Sequence, residues 1–191
     1  MLFNPMAAFG DRLTGIAKEC KSDLAILPET NVQNKDSHMS CATFKLAGTR
    51  CTAWQWGYRK GPLSGRSCGI TIVLGPRLRN YVVAVLTPPV HLAGRAAGIR
   101  IRTATTDILA IGIYFPPKTD SADQAIAPCV RAILAWIGKI LHNMPTRTIP
   151  MIMGDFNTKF GKDGNGNIEA DETVGQSKFG VRETFTSRAL R

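Results

Sequence analysis

The sequence predicts a layered α/β or α+β domain in which a mixed β-sheet is covered by helices on the outside. Three observations favour this fold class. Short apolar runs bounded by Gly, Pro and polar residues recur along the chain, as the strands of a covered sheet do. Two longer stretches instead repeat apolar residues at helical spacing. The 191 residues, 44% of them hydrophobic, are enough for one domain with a sizeable core.

The first predicted elements are a helix and a strand. Four apolar side chains at i, i+3, i+4 and i+7 predict an amphipathic helix over Gly10–Ser22. Asp23–Leu27 is a short apolar run typical of a buried strand, and Pro28 is expected to end it. Glu29 comes directly after this strand. The polar stretch Asn31–Ser40 is predicted to be a loop.

Five further strands are predicted in the middle of the chain. Gly or Pro residues close the second and the last of them, and in the fourth Ile alternates with Arg, which indicates one buried and one solvated face. They are Cys51–Trp56, Gly69–Leu74, Val82–Leu86, Gly98–Thr103 and Asp107–Tyr114.

A second helix and a final strand follow. The helix is predicted within Ser121–Asn143, and it either starts near Pro128 or is kinked there. Ile149–Met153 is the last apolar strand, and the sequence Gly-Asp-Phe-Asn follows it at once. From Lys159 onward the chain is rich in Gly and polar residues and shows no strong periodicity.

The charge balance favours a polyanionic partner. The chain has 24 basic and 14 acidic residues, a net charge of +10, and such a surface binds nucleic acid by releasing counterions. No apolar run is long enough to span a membrane, and Met1–Gly10 lacks the layout of a secretory signal, so an intracellular location, nuclear or cytoplasmic, is expected. Five cysteines without a CxxC pair predict buried, reduced thiols.

Polar side chains follow three of the predicted strands. They are Glu29, Tyr114, and Asp155 with Asn157. Glu29 and Asp155 could supply oxygen ligands to a hard cation such as Mg²⁺, which would polarise a phosphoryl oxygen. Asn157 could orient a phosphate through its amide, and Tyr114 could hydrogen-bond the same group. The alternatives are a solvated Glu29, a rim aromatic at Tyr114 and a turn formed by Asp155 and Asn157.

These residues resemble the endonuclease/exonuclease/phosphatase superfamily, which includes exonuclease III-like and DNase I-like enzymes. Ile26–Thr30 (ILPET) looks like its strand-plus-Glu metal motif, with Pro28 where Gln is usual. Gly65–Leu78 is similar to a segment of retrotransposon-type endonucleases, and Ile111–Pro117 (IGIYFPP) resembles the strand with the active-site Tyr. Ile152–Gly161 (IMGDFNTKFG) is the most specific motif. The resemblance extends in order over nearly the whole chain.

The resemblance implies a four-layer α/β sandwich, with two mixed β-sheets flanked by helices, for residues 1–191 as a single domain. It implies a Mg²⁺-dependent phosphodiesterase acting on nucleic acid, and a DNA endonuclease of the retrotransposon type above all, with Mn²⁺ as the alternative metal and no small-molecule cofactor. Glu29 and Asp155 would bind the metal. Asp155 would also activate or position the attacking water, Asn157 would contact the phosphate, and Tyr114 would support it.

Two departures from the family pattern matter. The family opens with a strand that ends in an Asn metal ligand; here only Met1–Pro5 precede the first helix, and Asn4 is the candidate for that role. The family closes with a Ser-Asp-His motif, whereas the three histidines of this chain all precede Asp155. The expectation is a domain incomplete at the C-terminus and at the N-terminus, with the last strands missing. The alternatives are a catalytically inactive remnant that binds nucleic acid by charge, and a phosphatase or lipid phosphodiesterase of the same superfamily.

Two further patterns in the sequence each have both an ordinary structural interpretation and a functional one. Gly161–Glu172 has the spacing of an EF-hand loop, but Gly161 stands where the first Asp ligand belongs, so a surface loop is predicted. A group of basic and aromatic residues could either track a nucleic-acid backbone or consist of core Trp residues beside solvated cations. This group is Arg50, Trp54, Trp56, Tyr58, Arg59, Lys60 and Arg66.

Overall fold

The computed structural model describes residues 22–31, 39–46, 48–57, 68–117 and 123–157. The strands are β1 (Leu24–Pro28), β2 (Ser40–Leu46), β3 (Thr49–Trp56), β4 (Ile70–Leu74), β5 (Val82–Leu86), β6 (Ala96–Arg102), β7 (Asp107–Tyr114) and β8 (Ile149–Asp155). One long helix, α1 (Asp123–Asn143), connects β7 to β8, and short 3-10 turns cover Arg79–Tyr81 and Val90–Leu92. Residues 10–21 of the helix predicted over Gly10–Ser22, and the whole loop Gly161–Glu172, lie outside the described residues.

The described strands form two four-stranded sheets. The first sheet has the order β1-β4-β3-β2 with antiparallel neighbours throughout. The second has the order β5-β6-β7-β8, and only its β7–β8 pair is parallel, because α1 carries the chain back between these two strands. The predicted α/β class is confirmed, with the difference that only one of the two described sheets is mixed.

The inner faces of the two sheets pack against each other and form the main core. Alternation along each strand supplies one apolar face to this interface. Trp54 and Trp56 belong to it, and Trp56 is 1% exposed. The two Trp side chains are therefore core residues and present no stacking surface for bases. Of the basic residues grouped with them above, Arg50 is exposed on β3, and residues 58–67 lie outside the described ranges.

Helix α1 covers the outer face of the second sheet. Its apolar stripe, which includes Val130 and Ile133, packs on the outward side chains of β7 such as Ile111 and Ile113. Pro128 lies on the exposed side inside the helix, so the helix neither begins nor ends there. In the part of the chain that the structure describes, no helix is long and apolar enough to cross a membrane.

Several strand boundaries differ from the prediction: β3 begins at Thr49, β6 covers Ala96–Arg102 and β8 extends to Asp155. Ser40–Leu46 is a full strand that pairs with β3 along its whole length, with Gly48 at a φ of 80° in the hairpin turn. Its residues do not alternate cleanly because β2 is the edge strand of the sheet and is largely exposed. β1 ends at Pro28, which is its last paired residue rather than the first residue after the strand. An edge strand tolerates Pro, since the missing N–H can face away from the sheet.

The predicted thiols are present as reduced cysteines in the described part of the chain. Cys51, Cys68 and Cys129 are buried, whereas Cys41 is exposed on the edge strand β2. Burial raises the pKa of the Cys68 thiol, so this group stays protonated at neutral pH.

A bidentate ion pair on the second sheet provides a test by pH. Arg100 donates from Nε and Nη2 to the two carboxylate oxygens of Asp107 at 2.8 and 2.6 Å, and these hydrogen bonds hold the pKa of Asp107 below its ordinary value. The lowered pKa contributes stability above the unfolded-state pKa of about 3.9, and this contribution is lost as the pH falls through the lower folded-state value. We expect Asp107→Asn to be less stable than the wild type at neutral pH. In urea unfolding over a pH series, that difference should shrink below about pH 4; a difference that is the same at every pH would contradict this role.

Candidate active site at the strand ends

The four described site residues predicted from the sequence meet at one end of the sandwich. Glu29 follows β1 of the first sheet. Tyr114 and Asp155 are the last residues of β7 and β8 in the second sheet, and they are directly paired in the parallel register. Asn157 comes two residues after Asp155. Asn4, the other predicted metal ligand, lies outside the described residues.

A hydrogen bond between the two sheets joins Tyr114 to Glu29. The phenol OH of Tyr114 donates to Oε1 of the Glu29 carboxylate. Alternation along β7 places Tyr114 on the inner face together with Ala110 and Gly112, and the ring is fully buried there. Two residues that are 85 positions apart in the sequence are thus held in contact by the packing of the sheets.

Glu29 reaches this position because its backbone leaves the extended conformation. Continued alternation would place its side chain on the outer face of the sheet with Ala25 and Leu27. Instead Glu29 has a φ of 55°, and Asn31 has a φ of 53°. Left-handed φ values at residues other than Gly are uncommon and are concentrated at functional sites. The turn is held by the N–H of Asn31, which donates to the carbonyl of Cys68 at 2.7 Å.

The electrostatic environment keeps Tyr114 protonated. Burial raises the pKa of its phenol most, and the hydrogen bond to Glu29 and the charge of Glu29 raise it further. The charge of Arg95 and a hydrogen bond from Asn157 act in the opposite direction. The net shift is strongly upward, so the OH is a permanent donor toward the Glu29 carboxylate at physiological pH.

Arg95 is a site residue that sequence reasoning missed. It is 5% exposed, and its guanidinium carbon lies 4.9 Å from the centroid of the Tyr114 ring. Its carbonyl also accepts the Tyr114 N–H at 2.9 Å. A cation over the face of an aromatic ring is attracted to it, so Arg95 helps to hold the Tyr114 ring in place. The signal in the sequence was a single charged residue inside the small apolar stretch Leu92–Gly98.

The Gly-Asp-Phe-Asn segment is a turn built by its own polar groups. The backbone N–H of Asn157 donates to Oδ1 of Asp155 at 2.8 Å, and the Asn157 amide donates to the Phe115 carbonyl at 2.7 Å. Phe156 packs edge-on against Phe115 with ring centroids 5.7 Å apart. The turn-forming interpretation of Asp155 and Asn157 therefore holds, and this turn keeps the Asp155 carboxylate at the strand end.

The donor set at this edge fits a hard divalent cation. Glu29 and Asp155 offer carboxylate oxygens, and Mg²⁺ is typically held by one or two carboxylates together with water and substrate phosphate. Close to Glu29, Oδ1 of Asn31 is buried and has no hydrogen-bond partner within the described ranges. An oxygen in that state is suited to a cation or its bound water. No group of three His, Cys, Asp or Glu side chains within those ranges forms a complete cage.

The described histidines lie at the surface. His91 and His142 are exposed, as expected for surface residues, and His38 lies outside the described ranges.

Comparisons with known proteins give a likeness of fold. No protein-family model matches the sequence, and no curated protein matches it. Among solved structures, the endonuclease domain of TRAS1, a telomere-specific non-LTR retrotransposon, matches with a TM-score of 0.45 and 16% identity over 83% of this chain and 58% of that one. A truncated TDP2 of Caenorhabditis elegans matches with a TM-score of 0.44 and 11% identity over 78% and 54%. SmcL matches with a TM-score of 0.46 and 16% identity over 84% and 64%.

All three belong to the endonuclease/exonuclease/phosphatase superfamily. The chain spans 54–64% of the length of these structures.

Proposed function

We propose that this chain is a metal-dependent phosphodiesterase of this superfamily that acts on nucleic acid. The observation that carries the proposal is the Tyr114–Glu29 hydrogen bond between the sheets, with Asp155 paired beside Tyr114. It collects two carboxylates and a neutral phenol donor at one strand-end edge, and this donor set supports metal-assisted hydrolysis of a phosphodiester.

Glu29 and Asp155 would hold the cation, with Asn31 as an additional oxygen donor nearby. When bound, the cation would polarise a phosphoryl oxygen and offset charge on the leaving oxygen. Tyr114 would fix the orientation of the Glu29 carboxylate by occupying its Oε1, which leaves Oε2 for ligation. Asp155, on a turn braced by Asn157, would position the attacking water and accept its proton. Asn157 would contact the phosphate.

Nucleic acid is the proposed substrate class because of charge and because of one sequence segment. The net charge of +10 favours a polyanion over a single headgroup. The Gly65–Leu78 segment, which contains β4, resembles that of retrotransposon-type endonucleases. Together they favour DNA nicking by an endonuclease of that type, with Mg²⁺ as the metal.

The test is nicking of supercoiled plasmid by the purified chain. We expect nicking with Mg²⁺ or Mn²⁺ and none with EDTA. Duplex DNA added as competitor should inhibit the reaction at lower phosphate concentrations than inositol phosphates do. Stronger inhibition by inositol phosphates would move the substrate class to lipid headgroups. DNA binding without any metal-dependent cleavage would contradict the enzymatic proposal and leave a nucleic-acid-binding protein.

A further inference from the structure

The exposed basic residues of the described strands and connecting turns gather at the end of the sandwich opposite the candidate active site. We call this the far end: it is where β4 and β6 end and where β5, β7 and β8 begin. Lys45, Arg50, Arg77, Arg102 and Arg147 are all exposed there. The end with the candidate active site has a different charge distribution, since its described charges are the carboxylates of Glu29 and Asp155 and the buried Arg95.

The β2–β3 hairpin extends beyond the first sheet at this end. β3 pairs with β4 only as far as Thr52, opposite Leu74, so the remaining residues up to the turn form a two-stranded ribbon. On this ribbon Lys45 and Arg50 are directly opposite each other in the register. Like charges facing each other across strands are destabilising.

Ordinary surface roles do not account for this pair. A lysine on an edge strand helps prevent pairing with another sheet, which explains Lys45 on β2 but not Arg50 opposite it. Within the described ranges neither side chain forms an ion pair with a carboxylate. A bound anion would remove the repulsion between the two cations, so the arrangement is matched to a negatively charged ligand.

The second sheet continues the same positive surface. Arg102 ends β6 beside Asp107, whose carboxylate is already occupied by Arg100. Arg147 precedes β8, which pairs with β7 from Ile108 onward.

The loop between the sheets adds a cation and an aromatic ring. The Arg77 side chain is 84% exposed, and its Nη1 lies 3.6 Å from Oδ2 of Asp23, with which it forms an ion pair. Tyr81 is 47% exposed and directly precedes Val82, whose register partner Ile101 is the chain neighbour of Arg102. Cations around an exposed aromatic ring suit a nucleic-acid backbone with a base available for stacking.

We infer that the far end, from the Lys45–Arg50 ribbon to Arg102, is a second nucleic-acid contact surface, separate from the edge that would cleave. The inference rests on the proposed function in taking nucleic acid as the partner. The eight residues of β3 at 3.3 Å each put the two ends roughly 26 Å apart. A duplex of about 6 base pairs, roughly 20 Å long at about 3.4 Å per base pair, is therefore too short to contact both ends, whereas a long duplex can lie along the edge strand β2 and do so.

The experiment neutralises the ribbon with the double variant Lys45→Gln/Arg50→Gln. Its control, Arg131→Gln/Lys139→Gln, removes the same charge from the exposed side of α1. Affinity for a long duplex is measured in EDTA over a salt series. Each phosphate contact adds about 0.9 to the slope of log affinity against log salt, so we expect the ribbon variant to flatten the slope by about 2 and the control to leave it unchanged. Thermal unfolding should show that the ribbon variant is as stable as the wild type or more stable.

The outcomes separate this inference from the proposed function. The ribbon variant should cleave the short duplex with unchanged kinetics. It should cleave the long duplex with a higher KM, because its affinity for that substrate is lower. Equal slopes in both double variants would overturn the inference even if the chain nicks DNA. A flatter slope in a chain that never cleaves would support the second surface and reject the enzyme. A different outcome would be a ribbon variant that keeps the wild-type salt dependence of DNA binding and loses binding to phosphatidylserine vesicles. That result would make the far end a membrane-contacting surface and would also overturn the inference.

Discussion

Asp155→Asn is expected to lower the rate of phosphodiester cleavage by about 10³-fold without unfolding the chain. The substitution removes the negative charge that would hold the cation and accept the proton of the attacking water. It keeps an oxygen at Oδ1 that can still accept the backbone N–H of Asn157, a hydrogen bond of 2.8 Å in the wild type. The turn after β8 should therefore remain, and single-turnover nicking of plasmid at saturating Mg²⁺ measures the loss.

Two comparisons make this result specific. Asp155→Ala removes the turn-holding oxygen as well, so it should lose activity to a similar extent and also lower the thermal midpoint. Asp107→Asn removes an aspartate charge from the opposite end of the second sheet and should keep full activity. Nicking by Asp155→Asn at the wild-type rate would exclude Asp155 from the chemistry.

Gly154→Ala is expected to destabilise the fold by at least about 3 kcal/mol. A Cβ at Gly154 would stand 1.8 Å from the carbonyl oxygen of Ile113 and 2.7 Å from its carbonyl carbon. Both atoms are backbone of the paired strand β7, so neither a rotamer change nor a small side-chain shift relieves the clash. β7 and β8 would have to separate next to Tyr114 and Asp155.

Gly138→Ala is the matched control for that measurement. A Cβ at Gly138 meets nothing within 4 Å, and the residue lies on the exposed side of α1. Replacing an exposed helical Gly by Ala should stabilise the chain by up to about 1 kcal/mol. Urea unfolding of both variants gives the two free energies. A Gly154→Ala chain as stable as the wild type would show that the strands do not approach as closely as described.

Much of the fold could be predicted from the sequence because the strands are short and apolar. Val82–Leu86 and Asp107–Tyr114 have the predicted bounds, whereas β8 extends two residues beyond the predicted Ile149–Met153 and includes Gly154 and Asp155. β2 could not be predicted in the same way, since an exposed edge strand such as Ser40–Leu46 has little reason to alternate. Its only local sign was Gly48 before the strongly apolar β3.

The contacts of the candidate site were less accessible from the sequence. The motifs placed Glu29, Tyr114 and Asp155 at strand ends, but the Tyr114–Glu29 bond depends on how two sheets pack, which no local pattern records. Asn31 was assigned to a loop and not to the site. The features that set it apart are a left-handed φ and a buried side-chain oxygen, and neither can be read from residue type. Arg95 was overlooked for the same reason, since its role is set by the ring above which it lies.

The absence of a side chain at Gly112 has a consequence for the site two residues further along β7. A Cβ there would come 2.9 Å from a methyl carbon of both Ile26 and Ile70 on the opposing sheet, so the two sheets are as close at this point as their backbones and neighbours permit. Tyr114 projects from the same face and has to cross the same gap to reach Glu29. The width of this gap therefore determines whether Tyr114 and Glu29 stay in contact. A change that widened it by an ångström would leave every polar group of the site in place and still uncouple the phenol from the carboxylate.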